Sequence, residues 1–311
     1  EAESSNRKAL ALQPDSVYAH SNLGNILLER KRFKDAESSY CRAIELDPAY
    51  AQAHGNLGNA LKEEQGRFSE AEASYRRAIA LDADYAQARS NLGILLLSLG
   101  RYTEGWPYYE ARYDPKQDEK WIALPELPFP QWQGESLLGK SILLWPEQGL
   151  GDEIQFARYA PLLKERGVSR LTLVCTPKTL LQTVAGVDRV ITQGEPIPQH
   201  DYWAFPLSLP LHLGTTLASI PAALPYLSAD PQRVQQWQAH LPEDGLKVGL
   251  VWRGNAQHQN DANRSLPGLT SLAPLWTVAG VKFVSLQKGP AEAEAISSPN
   301  GQPIVALGEK I

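Results

Sequence analysis

The segment WPEQGLGDEIQFARYAPLL at 145–163 follows the apolar run SILLW at 141–145. It sets Asp152 at the first turn of a helix, directly behind the glycine-tight turn Gly149-Leu150-Gly151. A carboxylate in that place admits three chemistries: a phosphate-binding loop, a helix cap, or a base that takes a proton from a hydroxyl. A dinucleotide loop of the G-x-G-x-x-G type fails on two counts. Ile154 occupies the third glycine position, and Asp152 would face the pyrophosphate with like charge. Asp152 with Gln155 three residues on reads as a capping box. A helix N-terminus favours such a carboxylate, and the cap alone is worth about 1 kcal/mol. Capping also orients the carboxylate, so it does not exclude base chemistry.

A second group of reactive side chains lies in RGNAQHQNDANRSLP, residues 253–267, after the strand candidate of KVGLVWRGN. Arg253, Asn255 and Arg264 supply cationic and amide donors there, and Lys288 follows a further strand candidate in SLQKG. Ligands of open α/β sheets sit at the carboxyl ends of strands, and such donors suit phosphate oxygens. His258 and Asp261 stand among them, but their spacing fits no usual metal site and no third ligand is evident, so no metal is expected.

The elements that must position these loops are short apolar strands alternating with helices. SILLW leads to a helix from about Asp152 to Arg166, LTLVC (171–175) leads to PKTLLQTVAG, and RVIT (189–192) and YWAF (202–205) follow. A helix from Pro231 to His240 and a turn at 242–245 precede a fresh start at KVGLVWRGN, LTSLAPLW and KFVSLQ (282–287). The alternation predicts parallel, doubly wound sheets. Residues 139–245 read as one Rossmann-like domain and 246–311 as the start of a second, with a cleft between them. The second stops after roughly 65 residues, where a whole domain takes about 100–150.

Residues 1–113 have a different logic. Gly24 in SNLGNILL recurs as Gly58 34 residues later and as Gly93 35 later, with Leu23/Leu57/Leu92, Ala36/Ala71, Tyr40/Tyr75/Tyr109 and Ala43/Ala78 in phase. Pro14 and Pro48 close two units, and Ala83 stands in the third. This period and these residues look like the tetratricopeptide repeat. The first unit is partial, since Glu1 aligns with Asp35; further repeats are therefore expected before residue 1. The last unit is degenerate, with Gly105 and Arg112 where alanines stand in the others. Residues 114–138 form a Pro/Trp-rich linker, expected to be packed because Trp121, Phe129 and Trp132 are costly to leave in water.

Asn22, Asn56 and Asn91 recur two residues before each glycine, inside helix A of each unit, where asparagine is a poor residue. Helix A lines the concave groove of such superhelices, and an amide both donates to and accepts from a peptide backbone. The pattern resembles the asparagine ladder of O-linked N-acetylglucosamine transferases, which implies a protein or peptide partner in the groove. A repeated inter-helix hydrogen bond, or duplication of an ancestral unit, accounts for the same phase. His20 and His54 also recur, but Arg89 breaks their series, leaving them groove-lining at most.

The charge of −5 over 311 residues gives no electrostatic reason to expect nucleic acid as partner. No apolar run approaches the ~20 residues of a membrane span, and EAESSNRKAL has no signal-peptide core, so a cytoplasmic protein is expected. Cys41 and Cys175 fall in a helical repeat and a strand candidate and imply neither a disulfide framework nor zinc. Methionine is absent, even at position 1.

The strings PQWQGESLLGKSILLWPEQGLGDEIQFARYAPLL, DYWAFPLSLP and VGLVWRGNAQHQNDANRSLP together resemble bacterial tetratricopeptide proteins that carry a family 9-like, heptosyltransferase-type glycosyltransferase domain. The resemblance covers nearly the whole chain. It implies a tetratricopeptide superhelix followed by α/β Rossmann-like domains of GT-B type. It also implies inverting, metal-independent transfer from a nucleotide-sugar, with no other cofactor. Asp152 would then be the general base, with Gln148, Gly149 and Gly151 forming the acceptor loop. Arg264 matches the position of a basic residue near the donor diphosphate, followed by Asn255, Arg253 and Lys288. The family's later Asp-Thr and His segment has no counterpart before Ile311, so residues 1–311 alone are not expected to transfer sugar. A tetratricopeptide scaffold carrying an inactive transferase-like domain is the competing expectation, and acceptors on lipopolysaccharide, flagellin or another glycan stay open.

Overall fold

A 34-residue period becomes a stack of helix pairs because the repeat glycines let rings and backbone close onto helix A. A Cβ on Gly24 would collide with the Tyr40 ring, one on Gly58 would lie 2.6 Å from the Tyr75 ring, and one on Gly93 would lie 2.5 Å from the Tyr109 backbone nitrogen. The computed structural model describes residues 2–64, 66–116, 122–257, 261–297 and 303–311; Trp121 and His258 lie outside them. Helices α1 (Ala2–Leu12), α2 (Val17–Glu29), α3 (Phe33–Leu46), α4 (Ala51–Glu63), α5 (Phe68–Leu81), α6 (Ala86–Ser98) and α7 (Tyr102–Tyr109) build the array, followed by a 3-10 turn, Glu110–Tyr113. The in-phase alanines 36, 43, 71 and 78 and both ring tyrosines, Tyr40 and Tyr75, are fully buried.

A ladder of ion pairs joins successive units. Arg32 reaches Glu3 at 3.2 Å, Arg67 reaches Glu37 at 2.7 Å, and Arg101 reaches Glu72 at 2.6 Å. The same arginines bind an acid three residues on: Asp35, Glu70 and Glu104. Each pair alone is worth little in water, but a network that spans units fixes their register.

The chain forms two compact units, Glu1–Ser228 and Ala229–Ile311. Helix Pro231–Gln238 thus falls in the second unit, whereas the sequence reading placed it in the first domain. Unit one adds to the repeats a four-stranded parallel sheet of β1 (Ser141–Leu144), β2 (Arg170–Val174), β3 (Arg189–Ile191) and β4 (Tyr202–Ala204), in the order β3-β2-β1-β4. Ile142 stands level with Leu171 on one side and Tyr202 on the other. Unit two holds a parallel sheet of β5 (Leu246–Leu250), β6 (Val281–Ser285) and β7 (Ile304–Ala306), in that order.

The faces of the first sheet are covered differently. Ile142, Leu144, Leu171 and Leu173 pack against helical residues such as Ala157, Ala160, Leu163 and Leu181. Leu143, Val174, Ile191 and Trp203 pack against Phe129, Leu127 and Ile122 of the linker. The expected second helical layer is therefore replaced, on this face, by an extended segment too rich in proline for a helix. This segment also lengthens the sheet: Trp132 N donates to Trp203 O at 2.7 Å, and Trp203 N to Pro130 O at 3.0 Å.

The single helix expected from Asp152 to Arg166 is instead α8 (Leu150–Phe156), a 3-10 turn (Ala157–Tyr159) and α9 (Ala160–Glu165). Pro161 lies in the first turn of α9, so the N–H that would continue α8 is missing. LTSLAPLW likewise forms a 3-10 segment, Leu269–Thr277, around Pro274. Among the described residues no helix is long and apolar enough to cross a membrane.

Candidate functional site

The order β3-β2-β1-β4 reverses direction between β1 and β4, and the crevice outside the carboxyl ends of such strands is where open α/β sheets bind ligands. The loop 145–149 leaves β1 at this point. Its first charged residue, Glu147, has no exposed side-chain surface. It accepts from Arg112 Nε at 2.8 Å, from Arg112 Nη2 at 3.1 Å and from Leu207 N at 2.9 Å. Burial pushes the Glu147 carboxyl up, against the pull of Arg112. Next in the loop, Gln148 donates to the Tyr109 hydroxyl at 3.3 Å.

Gly149 is the N-cap of α8, and Asp152 is its third helical residue. The Asp152–Gln155 capping box is therefore corrected: Asp152 Oδ2 accepts from Gly149 N at 3.2 Å, which is the acidic half of a box whose N-cap has no side chain. No described residue donates to the other oxygen, and the carboxylate is half-buried. A Cβ on Gly151 would meet nothing within 4 Å, and one on Gly149 would meet only Asp152. Neither glycine has a left-handed φ, so the fold does not require glycine at either position. Both are open positions in the turn that holds the oriented carboxylate. Behind it, Glu153 accepts from Thr176 N at 2.9 Å and ties α8 to the end of β2.

In the second unit, the ends of β5 and β6 frame a cleft of about 730 Å³ lined by Arg253, Asn255 and Lys288, with Gly254 and Gly289. The organiser of this cleft is Gln287, which is 2 % exposed. Its Oε1 accepts from Trp252 N at 3.0 Å and Arg253 N at 2.9 Å, while Nε2 donates to Arg253 O at 3.0 Å and Lys288 O at 2.8 Å. One buried amide so holds both loops. Asn255 spends its side-chain oxygen on Gln257 N, a local turn that leaves its NH2 available. Arg253 donates to Pro267 O, and Lys288 to Ile311 O. Arg264 ends a short helix, Asp261–Arg264, is exposed, and does not line the cleft. The sequence grouping of Arg264 with Arg253, Asn255 and Lys288 is thus only partly kept.

In the repeat array, Asn56 and Asn91 point at neighbouring units. Asn56 Nδ2 donates to Asn25 Oδ1 at 3.0 Å, and Asn91 Nδ2 to Asn59 Oδ1 at 2.8 Å. The same oxygens accept from the hydroxyls of Tyr40 at 2.8 Å and Tyr75 at 2.7 Å. Gln87 donates to Asn91 Oδ1 at 3.1 Å. Two of the three in-phase asparagines, Asn56 and Asn91, are therefore staples between units, and Asn22 is the exposed member. The histidines tie down the turns before their helices: His20 Nε2 lies 2.8 Å from Pro14 O, and His54 Nε2 lies 3.1 Å from Pro48 O.

Sequence reasoning missed Tyr109, Arg112, Glu147 and Gln287. Arg112 did leave a signal, since it breaks the repeat where Ala43 and Ala78 keep it. Gln287 left none, because its partners are main-chain groups up to 35 residues away.

A family model described as TPR repeat matches residues 24–63 and 64–100. Over 221 residues the chain is 33% identical to Protein FlbA of Caulobacter vibrioides, a match that takes in 64% of this chain and 37% of that protein. The chain thus spans little more than a third of that curated relative. A crystal structure of MamA protein is 29% identical over 37% of this chain and 62% of that one, at a TM-score of 0.33. The structure titled "YrrB: a TPR protein with an unusual peptide-binding site" is 23% identical over 36% of this chain and 58% of that one, also at 0.33. Residues 24–100 are tetratricopeptide repeats, and the region after them holds parallel sheets.

Proposed function

We propose that the protein is an inverting, metal-independent glycosyltransferase of GT-B type. It moves a sugar from a nucleotide-sugar to an acceptor, a protein or peptide, recruited by the repeat groove. One observation carries this reading: Asp152 sits at the strand-order reversal with one oxygen held by Gly149 N and, among the described residues, no donor to the other, in a turn whose two glycines face open space. A carboxylate so held takes the proton of an acceptor hydroxyl as that oxygen attacks the anomeric carbon. The sugar–phosphate bond breaks with its electron pair going to the nucleoside diphosphate. The cleft between the β5 and β6 ends supports the donor half, because Arg253, Lys288 and the Asn255 amide are donors suited to the charge that builds on the diphosphate.

The test is to incubate the full-length protein with labelled UDP-, GDP- and ADP-sugars and follow nucleotide release beside Asp152→Asn. Release from one donor that falls at least a hundredfold in the variant supports the reading, since general-base catalysis contributes about 10²–10⁴-fold. Release unchanged in the variant leaves Asp152 as a helix cap only. Absence of release from every donor favours the second reading, a tetratricopeptide interaction scaffold with an inactive transferase-like region. The position of Arg264 outside the cleft is the observation on that side.

A further inference from the structure

The degenerate last repeat departs from the two before it at Gly105, Ile94 and Arg112, among other positions, and the structure gives each of these three a purpose. Gly105 replaces Ala36 and Ala71; a Cβ there would lie 2.8 Å from Leu97, so α7 closes onto α6 more tightly than its counterparts can. Ile94 replaces Asn25 and Asn59, the acceptors of the Tyr40 and Tyr75 hydroxyls. Tyr109 is thereby without the asparagine that its counterparts use, and its hydroxyl meets Gln148 instead. Arg112 replaces Ala43 and Ala78, which are wholly buried in the stack.

Arg112 is buried too, at 6% exposure, but among groups of the α/β region. Its guanidinium forks onto Glu147, donates to Ser208 Oγ at 2.9 Å, and binds Glu110 at 2.6 Å. It lies over the rings of Tyr109 at 4.6 Å and Tyr113 at 4.9 Å. Ser208 in turn donates to Glu110 at 2.9 Å, so every charged member of the cluster is satisfied. Residues that follow β1 and β4, Glu147 and Ser208, meet Arg112 there, and α7 packs against the short helix Leu209–His212.

We propose that the last repeat is the support of the Asp152 loop, with Arg112 as a positioning residue that acts through Glu147 on Gln148, Gly149 and Asp152. The significance of that loop rests on the transferase reading; its mechanical dependence on Arg112 does not. A planar fork matters here more than charge: Glu147 Oε1 also accepts from Leu207 N, but a single ammonium cannot replace all the bonds that the guanidinium makes to both Glu147 oxygens, Ser208 and Glu110. Arg112 therefore makes the repeat array part of the loop's geometry rather than a tethered module.

The experiment is hydrogen exchange on the full-length protein, resolved by peptide, for the wild type, Arg112→Lys and Glu147→Gln. Both variants keep the size of the cluster; Arg112→Ala is the more severe comparison. The expected result is at least tenfold faster exchange of the 148–153 amides in both variants, with α2 to α6 at the wild-type rate. Loop exchange unchanged in Arg112→Lys overturns the proposal, and so does acceleration spread evenly over the whole first unit, which marks a merely stabilising role. In the nucleotide-release assay Arg112→Lys lowers kcat with donor KM unchanged. If the wild type releases no nucleotide, the transferase reading falls while the exchange result still decides the role of Arg112.

Discussion

Gly24, Gly58 and Gly93 are filled from outside by aromatic rings or backbone, whereas Gly149 and Gly151 face open space. The same residue type thus answers two needs, and substitution separates them. Gly58→Ala forces the Tyr75 ring off its seat and is expected to lower stability by about 1–3 kcal/mol, the usual range for overpacking. Gly151→Ala lies in the first turn of α8 with room for a methyl group, so it is expected to be neutral or to gain up to about 1 kcal/mol. Urea unfolding of both variants checks the pair; a Gly151→Ala protein as destabilised as Gly58→Ala would show that the open space at Gly151 is an illusion. The sequence made the position of Asp152 legible, because Gly-x-Gly-Asp after an apolar run has few readings. Its hydrogen bond was not legible: the helix starts at Leu150, which makes Gln155 irrelevant and Gly149 the partner.

At the scale of elements, the repeat helices were readable because each periodic residue answers a direct contact between neighbours in the stack. The α8–α9 break was readable only in hindsight from Pro161, and the covering of one sheet face by the linker was not, since aromatic residues without a period do not say which surface they reach. The asparagines show the same limit. Their phase identifies helix A, but Asn25 and Asn59, which they join, lie in the preceding unit. Replacing Asn22, Asn56 and Asn91 together therefore mixes two effects, and single variants divide them. Asn56→Ala removes one staple between units and is expected to cost about 1 kcal/mol in urea unfolding, with Tyr40 still bound to Asn25. Asn22→Ala is expected to leave stability within about 0.5 kcal/mol of wild type, as for most exposed sites. If the groove binds peptide through these amides, Asn22→Ala weakens capture of an immobilised peptide although its unfolding curve is unchanged. Equal capture with and without Asn22 removes that residue from the groove's function.

At the scale of the whole molecule, two buried histidines and two hydrogen-bonded carboxylates contribute to how the first unit responds to acid. His200 is 3% exposed, with Nδ1 2.7 Å from Pro198 O and Nε2 2.9 Å from Thr172 Oγ1 beneath the linker-covered face of the sheet. Burial holds its pKa below the ordinary value, Arg170 and Arg189 add to this, and the Pro198 carbonyl and Asp201 oppose it. His212 lies against Trp132 at 4.9 Å, and burial lowers its pKa as well, against Glu110 and Glu135. For both groups the unfolded chain binds the proton first, near the ordinary value of about 6.5. Stability therefore rises with pH up to that value and is progressively lost as pH falls below it. The carboxylates respond later. Asp201, held by Ser141, and Glu195, held by Lys178, keep pKa values of about 2, so their contributions vanish only as pH falls from about 4 toward 2. The expected thermal midpoint is level from pH 8 to about 7, declines from about 6.5 downward, and declines again below about 4. Replacing His200 and His212 with asparagine is expected to lower the midpoint at pH 8 while flattening the first decline and leaving the second in place. A wild-type midpoint that stays level from pH 7.5 to 5 would mean that neither histidine is buried in solution as it is here, and the packing of the linker against the sheet would have to be redrawn.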